Sequence, residues 1–438
     1  MQSTVSQPNQ GDVPRLTPWQ LTSYGLLTMP IAMAGLALLT YLPTFYAIDM
    51  GLGLGVVGAI FLGGRFLDIL TDPMIGHLSD QTRSRFGPRK PWMAAGIVGF
   101  CAALWFLLVP PGDIGPAYLI IAGTVFFISM TMLDVPYSST GLEISPYVDE
   151  RSRLASAKAG FQVAGALLAG TMPLLLTTSA SGSLPAIAIS AIGLAALGFL
   201  LFIAFVPARN RVEARSSAGI TASLKTILAE RRYKYLLGPF FIIQTANALF
   251  SGLAVLYITF IVKAPGLVGL FIGLLFLSTA LFLPLWLAVA RRVGKAKCWQ
   301  AGIMISMVAL LAMPLFGEGD VVAICILFAV IGGTFGCDAV MPTSMLADIA
   351  SDHESETGDR LSGVYLSVKN AVSKCAFAAP MGLAFPVLGY LEFETSETHD
   401  PVTLLAFMGF FALIPVALKC VAILIMRRGP DFHTAQAS

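Results

Sequence analysis

Apolar stretches of about 20 residues recur along the whole chain, and this repetition limits its possible folds more than any other feature. A helix of that length crosses the hydrocarbon core of a bilayer, so each stretch is a candidate membrane span. Twelve spans are predicted, at 20–47, 53–78, 92–110, 115–141, 155–178, 184–206, 236–262, 265–290, 298–317, 320–345, 362–390 and 402–426. The sequence therefore predicts an all-α, multi-pass integral membrane protein.

Composition agrees with this prediction and excludes several other classes of protein. The chain of 438 residues is 56% hydrophobic and only 12% charged, far from the balance of a soluble domain. Its net charge of +2 gives no indication of a nucleic-acid partner. The six cysteines lie in or beside apolar stretches without metal-binding spacing, and the sequence has no nucleotide loop or nucleophile arrangement. We therefore expect neither an enzyme nor a cofactor.

The longest polar connection lies between the sixth and seventh spans and divides the chain into halves of similar length. The predicted parts are a disordered tail, a six-helix bundle, a linker, a second six-helix bundle and a final tail, at 1–19, 20–206, 207–235, 236–426 and 427–438. Of the 27 Lys and Arg residues, 22 fall on the side of the tails, which the positive-inside rule assigns to the cytosol. Both termini are therefore predicted to be cytosolic.

A short repeat relates the two halves. "FGPRKPW" after the second span aligns with "VGKAKCW" after the eighth, so that Gly87 and Trp92 lie 207 residues before Gly294 and Trp299. Related six-helix halves, packed about an axis along the membrane normal with a site between them, are the architecture of major-facilitator transporters. The repeat therefore favours the major facilitator fold.

Three charged residues lie inside the second span. Arg65, Asp68 and Asp72 are three and four residues apart, which places them on one face of a helix. Each charge at mid-membrane costs roughly 2.5–3.5 kcal/mol on insertion scales, so we expect this face to point into the protein. Thr131 and Asp134 in the fourth span offer further oxygens, and together these groups suit Na⁺ or a proton. The alternative is a structural ion pair, Arg65 with one of the two acids.

The second half contributes basic residues instead. Lys369, Asn370 and Lys374 lie in the early part of the eleventh span. Lys369 is close enough to the cytosolic end for its side chain to extend to the interface. Lys374 is deeper and could attract an anionic or hydroxylated substrate, or pair with Asp134 or with Asp338 of the tenth span. Acids outnumber bases in the predicted cation cluster, which favours a role in cation binding.

Polar residues elsewhere carry weaker predictions. Tyr137 could line a cavity or bond a neighbouring helix. The basic loop "QTRSRFGPRK", which contains Arg83 and Arg89, is expected to form charge networks with acids on the cytosolic side. These networks would hold that side shut when the other side is open.

The segment "RFLDILTDPMIGHLSDQTRSRFGPRKPW" resembles the signature of the glycoside-pentoside-hexuronide:cation symporters, a branch of the major facilitator superfamily. The resemblance continues through "TMLDVPYSS", "YVDERSRLASAKAGF", "LADIASDHESETGDRLSGVYLSV" and "SVKNAVSK", and so covers nearly the whole chain. It implies a transporter that couples substrate movement to Na⁺, Li⁺ or H⁺.

The resemblance also implies roles for individual residues. The cation site corresponds to Asp68, Asp72, Thr131 and Asp134, with Na⁺ as the bound metal if sodium is the coupling ion. The essential lysine corresponds to Lys374, and the other substrate-lining or gating positions are Lys369, Asn370, Lys158, Asp348 and Arg360. The first span is apolar in "GLLTMPIAMAGLALL", and Ser138 stands where sugar-transporting members have Trp. The substrate is therefore predicted to be either sugar-like or an amphiphile such as a lysolipid.

These observations predict a monomeric, cation-coupled symporter in the cytoplasmic (inner) membrane that works by alternating access. Its partners would be a small organic substrate, a monovalent cation and the lipid bilayer. Two alternatives stay open, namely a receptor or sensor that does not transport and an exporter of the same fold.

Overall fold

The computed structural model describes residues 15–112, 114–144, 148–176, 179, 181–206, 220–357, 361–393 and 400–429. Residues 1–14 and 430–438 of the predicted tails (1–19 and 427–438), and residues 207–219 of the predicted linker (207–235), lie outside these residues. The described part is built of helices and contains no strand. Its long helices are α1 Pro18–Asp49, α2 Leu54–Gln81, α3 Lys90–Leu108, α4 Pro116–Glu143, α5 Val148–Leu175, α6 Leu184–Phe205, α7 Arg231–Ile261, α8 Val268–Val293, α9 Lys295–Ala312, α10 Val321–Thr357, α11 Val364–Tyr390 and α12 Pro401–Arg428.

Eleven helical segments of the described chain are long and apolar enough to cross a membrane. The remaining predicted span, at 155–178, falls in α5 as far as Leu175, and residues 177–178 lie outside the described residues. With 28 residues this helix is about 42 Å long, but its first half carries Glu150, Arg153 and Lys158, which shorten the apolar part. Helix α10 runs to Thr357, beyond the predicted end at 345. Its final turns are polar, so hydropathy does not include them in the span, although they are helical. The count of twelve spans therefore stays a prediction.

The helices pack in two groups, α1–α6 and α7–α12. The groups meet through α1 with α7, α2 with α11, and α5 with α8. Moving along the chain by six helices carries α2 onto α8 and α5 onto α11, so the last two contacts are equivalent. Gly87 and Gly294 of the repeated segment also match, since both have a left-handed φ, of 89° and 90°, just before a helix. This equivalence is the geometry of two related halves.

The close contacts between the groups lie at one end of the molecule. We call the end that carries Pro18 the tail side and the opposite end the far side. On the far side, a Cβ built on Gly389 of α11 would lie 2.7 Å from the backbone nitrogen of Gly55 in α2, and one built on Gly58 would lie 2.8 Å from Met381 O. A large apolar core continues across both groups here. A second core is formed by α7–α12 together with Ile227 of the linker helix Ile220–Ala229. The far side is therefore closed.

Helix α11 is less regular than its neighbours. It is α-helical as far as Ala376, turns at 377–378, passes through a π-helical segment at Pro380–Ala384 and resumes as α-helix at Phe385–Tyr390. Proline has no backbone N–H for the helical ladder, and π segments are frequent at functional sites. Lys374 therefore lies on the last regular turn before a break in the helix.

Candidate functional site

The first part of the site lies between α2 and α4. Asp68 is 3% exposed, and Arg65 Nη1 lies 3.3 Å from its Oδ2 atom because the two residues are one turn apart. Thr131 Oγ1 donates to Asp68 Oδ1 at 3.3 Å, and Thr71 Oγ1 lies 3.4 Å from Thr131 Oγ1. One carboxylate and two hydroxyl groups thus form a cluster of oxygens inside the protein. The predicted inward orientation of this face of α2 agrees with these contacts.

The second part joins the two groups of helices. Lys374 Nζ of α11 donates to Asp72 Oδ2 of α2 at 2.5 Å, across 302 residues of sequence. The Lys374 and Asp72 side chains are 29% and 26% exposed. The second carboxylate oxygen, Asp72 Oδ1, is buried and has no hydrogen-bond partner among the described residues. One oxygen of Asp72 is therefore neutralised by the lysine while the other can still accept a ligand.

The third part lies between α4 and α5. Lys158 Nζ is 3.7 Å from Asp134 Oδ1, and it donates to Ser138 Oγ at 2.8 Å. The same ammonium lies 4.9 Å from the centre of the Tyr137 ring, within the range of a cation–π interaction. Asp134 is therefore paired within its own bundle, and the predicted alternative of an Asp134–Lys374 pair does not match this arrangement.

Each acid of the predicted cation site has its own base in this state. The excess of acids expected in the cluster is wrong, because Lys374 and Lys158 arrive from other helices. No group of three His, Cys, Asp or Glu side chains in the described chain converges as metal ligands, so Asp68, Asp72 and Asp134 do not meet at one point. Because the far side is closed, the partial exposure of Asp72, Lys374 and Asp134 indicates access from the tail side.

Several predicted substrate residues occupy different surroundings. Tyr137 is fully buried, its hydroxyl donates to Tyr24 O at 2.7 Å and it lies 2.6 Å from Thr28 Oγ1, so it packs α4 on α1 and does not line a cavity. Asn370 is exposed. Lys369 Nζ lies 5.0 Å from the centre of the Phe240 ring, in reach of a cation–π interaction.

The residues predicted to form gates or charge pairs also lie in different contacts and do not form one network among the described side chains. Asp348 contacts Lys295 Nζ at 2.6 Å, which joins the first residue of α9 to the tail-side part of α10. Arg89 Nη1 donates to Ser79 Oγ at 2.8 Å, and Arg83 is exposed. Arg360 lies outside the described residues.

Asp338 is not a partner of Lys374. It is buried within α7–α12, where Lys419 Nζ lies 3.9 Å from its Oδ2 atom, because its face of α10 points toward α9 and α12.

Some residues of the site had no prediction. Thr71 directly precedes Asp72 and lies one turn after Leu67 and Asp68. This helical spacing could have placed its hydroxyl in the same oxygen cluster. Lys419 is a lone lysine in an apolar span, which is itself a signal of a buried partner. The identity of that partner depends on tertiary packing.

A family model described as MFS/sugar transport protein matches residues 23–430. The chain belongs to this family. The resemblance to the glycoside-pentoside-hexuronide:cation symporters is thereby confirmed. The inner membrane symporter YicJ of Escherichia coli (strain K12) is 24% identical over 405 residues, which cover 89% of this chain and 86% of the relative. The sodium-dependent lysophosphatidylcholine symporter 1 of Gallus gallus is 22% identical over 422 residues, covering 85% and 78%.

The fold has a close match among solved structures. The crystal structure of the nucleoside transporter NupG (D323A mutant) aligns with a TM-score of 0.68 and 12% identity, covering 93% of this chain and 99% of that one. This match shows the fold of a major facilitator transporter, and the family model makes the protein a multi-pass membrane transporter of that type.

Proposed function

We propose that the protein is a cation-coupled symporter with twelve membrane spans, with its tail side in the cytosol and the inner membrane as its location. The observation that carries this proposal is the Lys374–Asp72 contact between the two groups of helices. A monovalent cation, either Na⁺ or H⁺, is the coupling ion. In this orientation the closed far side faces out, and the structure corresponds to an inward-open state.

The lysine takes the place of the coupling ion in the state described here. Its ammonium neutralises Asp72, while the free oxygen of Asp72 and the cluster of Asp68, Thr131 and Thr71 remain as ligands for a hard cation. When the cation binds Asp72, Lys374 loses its partner. The partly exposed ammonium can then pair with the substrate instead, so a substrate that accepts hydrogen bonds or carries negative charge binds more favourably. Cation and substrate thus favour the same state, which is the condition for coupling.

The substrate class has two supported candidates. The family description names sugar transport, and sugar hydroxyls can accept from Lys374. The relative from Gallus gallus is named for sodium and lysophosphatidylcholine, whose phosphate would pair with a lysine. Helix α1 is apolar at 25–39 apart from Thr28, and so offers few groups to bond sugar hydroxyls. This composition supports the amphiphile.

A two-stage experiment tests the proposal. Sugars, glycosides, small acids and lysolipids are screened for thermal stabilisation of the purified protein with and without Na⁺, at several pH values. The hits are then assayed for uptake into proteoliposomes under an imposed cation gradient. We expect gradient-driven accumulation by the parent protein and its loss in Asp68→Asn and Asp72→Asn. Asp320→Asn, at an exposed far-side acid, is the matched control that keeps transport.

Two results would contradict the proposal. Accumulation against a gradient by Asp68→Asn and Asp72→Asn would show that these acids do not bind the coupling ion. Binding of a ligand that is never moved across the membrane would instead identify a receptor on the same scaffold.

A further inference from the structure

A second acid–lysine pair lies inside the α7–α12 group, away from the site described above. Asp338 of α10 and Lys419 of α12 are 2% and 0% exposed, and their charged atoms are 3.9 Å apart. Taking two charges out of water is unfavourable unless they are paired and hydrogen-bonded. A pair so deeply buried therefore has a role in the arrangement of the helices around it.

Hydrogen bonds extend this pair to two more helices. Asp338 Oδ1 accepts from Trp299 Nε1 of α9 at 3.0 Å, and Asp338 Oδ2 accepts from Asn247 Nδ2 of α7 at 2.8 Å. Lys419 Nζ donates to Ser306 Oγ of α9 at 2.8 Å. The rotation and register of α7 are thus fixed against α9, α10 and α12 by one buried network.

The network continues from α7 to the lysine of the site. Gln244 is one turn before Asn247 on the same face of α7, and its Nε2 atom lies 3.4 Å from Ser373 Oγ of α11. Ser373 directly precedes Lys374, on the last regular turn before α11 breaks. This bond joins α7 to the last regular turn of α11, whereas the contacts of Tyr233 with Tyr365 and of Phe240 with Lys369 hold earlier turns.

We propose that the buried Asp338–Lys419 pair, acting through Asn247 and Gln244, is a positioning element that holds the Lys374 turn of α11 against Asp72. The consequence for transport rests on the proposed function of Lys374, whereas the positioning of the turn does not. The pair touches neither cation nor substrate, and its effect on transport is through the placement of the lysine.

Cys375 provides a native reporter for this turn, since it follows Lys374 and is exposed. The experiment measures the rate of Cys375 alkylation by N-ethylmaleimide in the purified full chain, by peptide mass spectrometry. Asn247→Leu and Gln244→Leu cut the network and leave the ion pair in place, and Asp338→Asn with Lys419→Met removes both charges together. We expect each of these to raise the rate at least about fivefold, within the usual range of coupling between sites.

Two controls separate positioning from general loss of stability. Phe328→Leu removes a fully buried ring that packs on Phe250 and Phe271 on the far side, so it should lower the melting temperature and leave the rate unchanged. Asp72→Asn releases Lys374 directly and should raise the rate. If the alkylation rate of Cys375 rises in Asp72→Asn but not in Asn247→Leu and Gln244→Leu, the inference is overturned. This test does not require the double variant to fold. An increase in those two variants without one in Asp72→Asn would support the positioning network and count against the proposed role of the Lys374–Asp72 contact.

Discussion

Two of the Asp–Lys pairs in the described helices, Lys374–Asp72 and Lys419–Asp338, differ in almost every respect. Lys374 and Asp72 are 2.5 Å apart, join the two groups of helices and are 29% and 26% exposed. Lys419 and Asp338 are 3.9 Å apart and lie within one group, and their side chains are 1% and 2% exposed. The same two residue types thus form an accessible pair at the interface and an enclosed pair in a bundle core.

The difference teaches which pair can exchange partners. An ion pair that is about a quarter exposed is weakened by solvent, so another cation or an anion can replace one partner at lower cost than in a buried pair. A buried pair cannot lose a partner without leaving an unsatisfied charge, which is strongly unfavourable. The first pair is therefore suited to coupling and the second to fixing helix positions. The predictions that follow test this contrast.

Removing one partner of the enclosed pair should have the largest effect on stability. Lys419→Met leaves Asp338 charged without its lysine, and we expect a loss of about 3–5 kcal/mol, measured as a large fall in thermal stability in detergent. Adding Asp338→Asn to the same chain should recover most of this loss, because both charges are then gone. If the single variant is as stable as the parent, the pair does not behave as an enclosed one.

Packing between the groups on the far side should show an intermediate effect. Gly389→Leu would place side-chain atoms where α2 already lies, since a Cβ meets the Gly55 nitrogen at 2.7 Å. Such overpacking costs about 1–3 kcal/mol, and we expect it to lower thermal stability and to shift the protein away from the state that is closed on the far side. Alkylation of a cysteine introduced at the far-side end of α2 measures this shift.

Gly193→Leu is the matched control for that experiment, because a Cβ there meets nothing within 4 Å and the residue is exposed on α6. Equal behaviour of the two glycine variants would mean that the far side is not closed by this contact.

Breaking the accessible pair should have the smallest effect on stability and the largest on transport. Lys374→Met removes an interaction that solvent already weakens, so we expect a loss of at most about 1 kcal/mol in the same thermal assay. Substrate accumulation driven by a cation gradient should nevertheless disappear. A fall in stability as large as that of Lys419→Met would remove the contrast between the two pairs.

Much of the fold and part of the site follow from local sequence, and the remainder depends on packing. Span lengths and the inward face of α2 follow from hydropathy and helical period, since Arg65, Asp68 and Asp72 share one stripe. The partner of Asp72 lies 302 residues away, and no local pattern selects Lys374 over other lysines. Asp338 could be placed in a span but not paired, because which face of α10 meets α12 is decided by tertiary packing.

The most direct test of the central claim is the cation dependence of thermal stability, measured for the parent and for Lys374→Met with Na⁺ and with protons as candidate ions. If the lysine and the coupling ion compete for Asp72, the ion concentration that stabilises Lys374→Met is at most about one tenth of the concentration that stabilises the parent. The ion does not stabilise Asp72→Asn. An unchanged cation requirement in Lys374→Met would contradict the account.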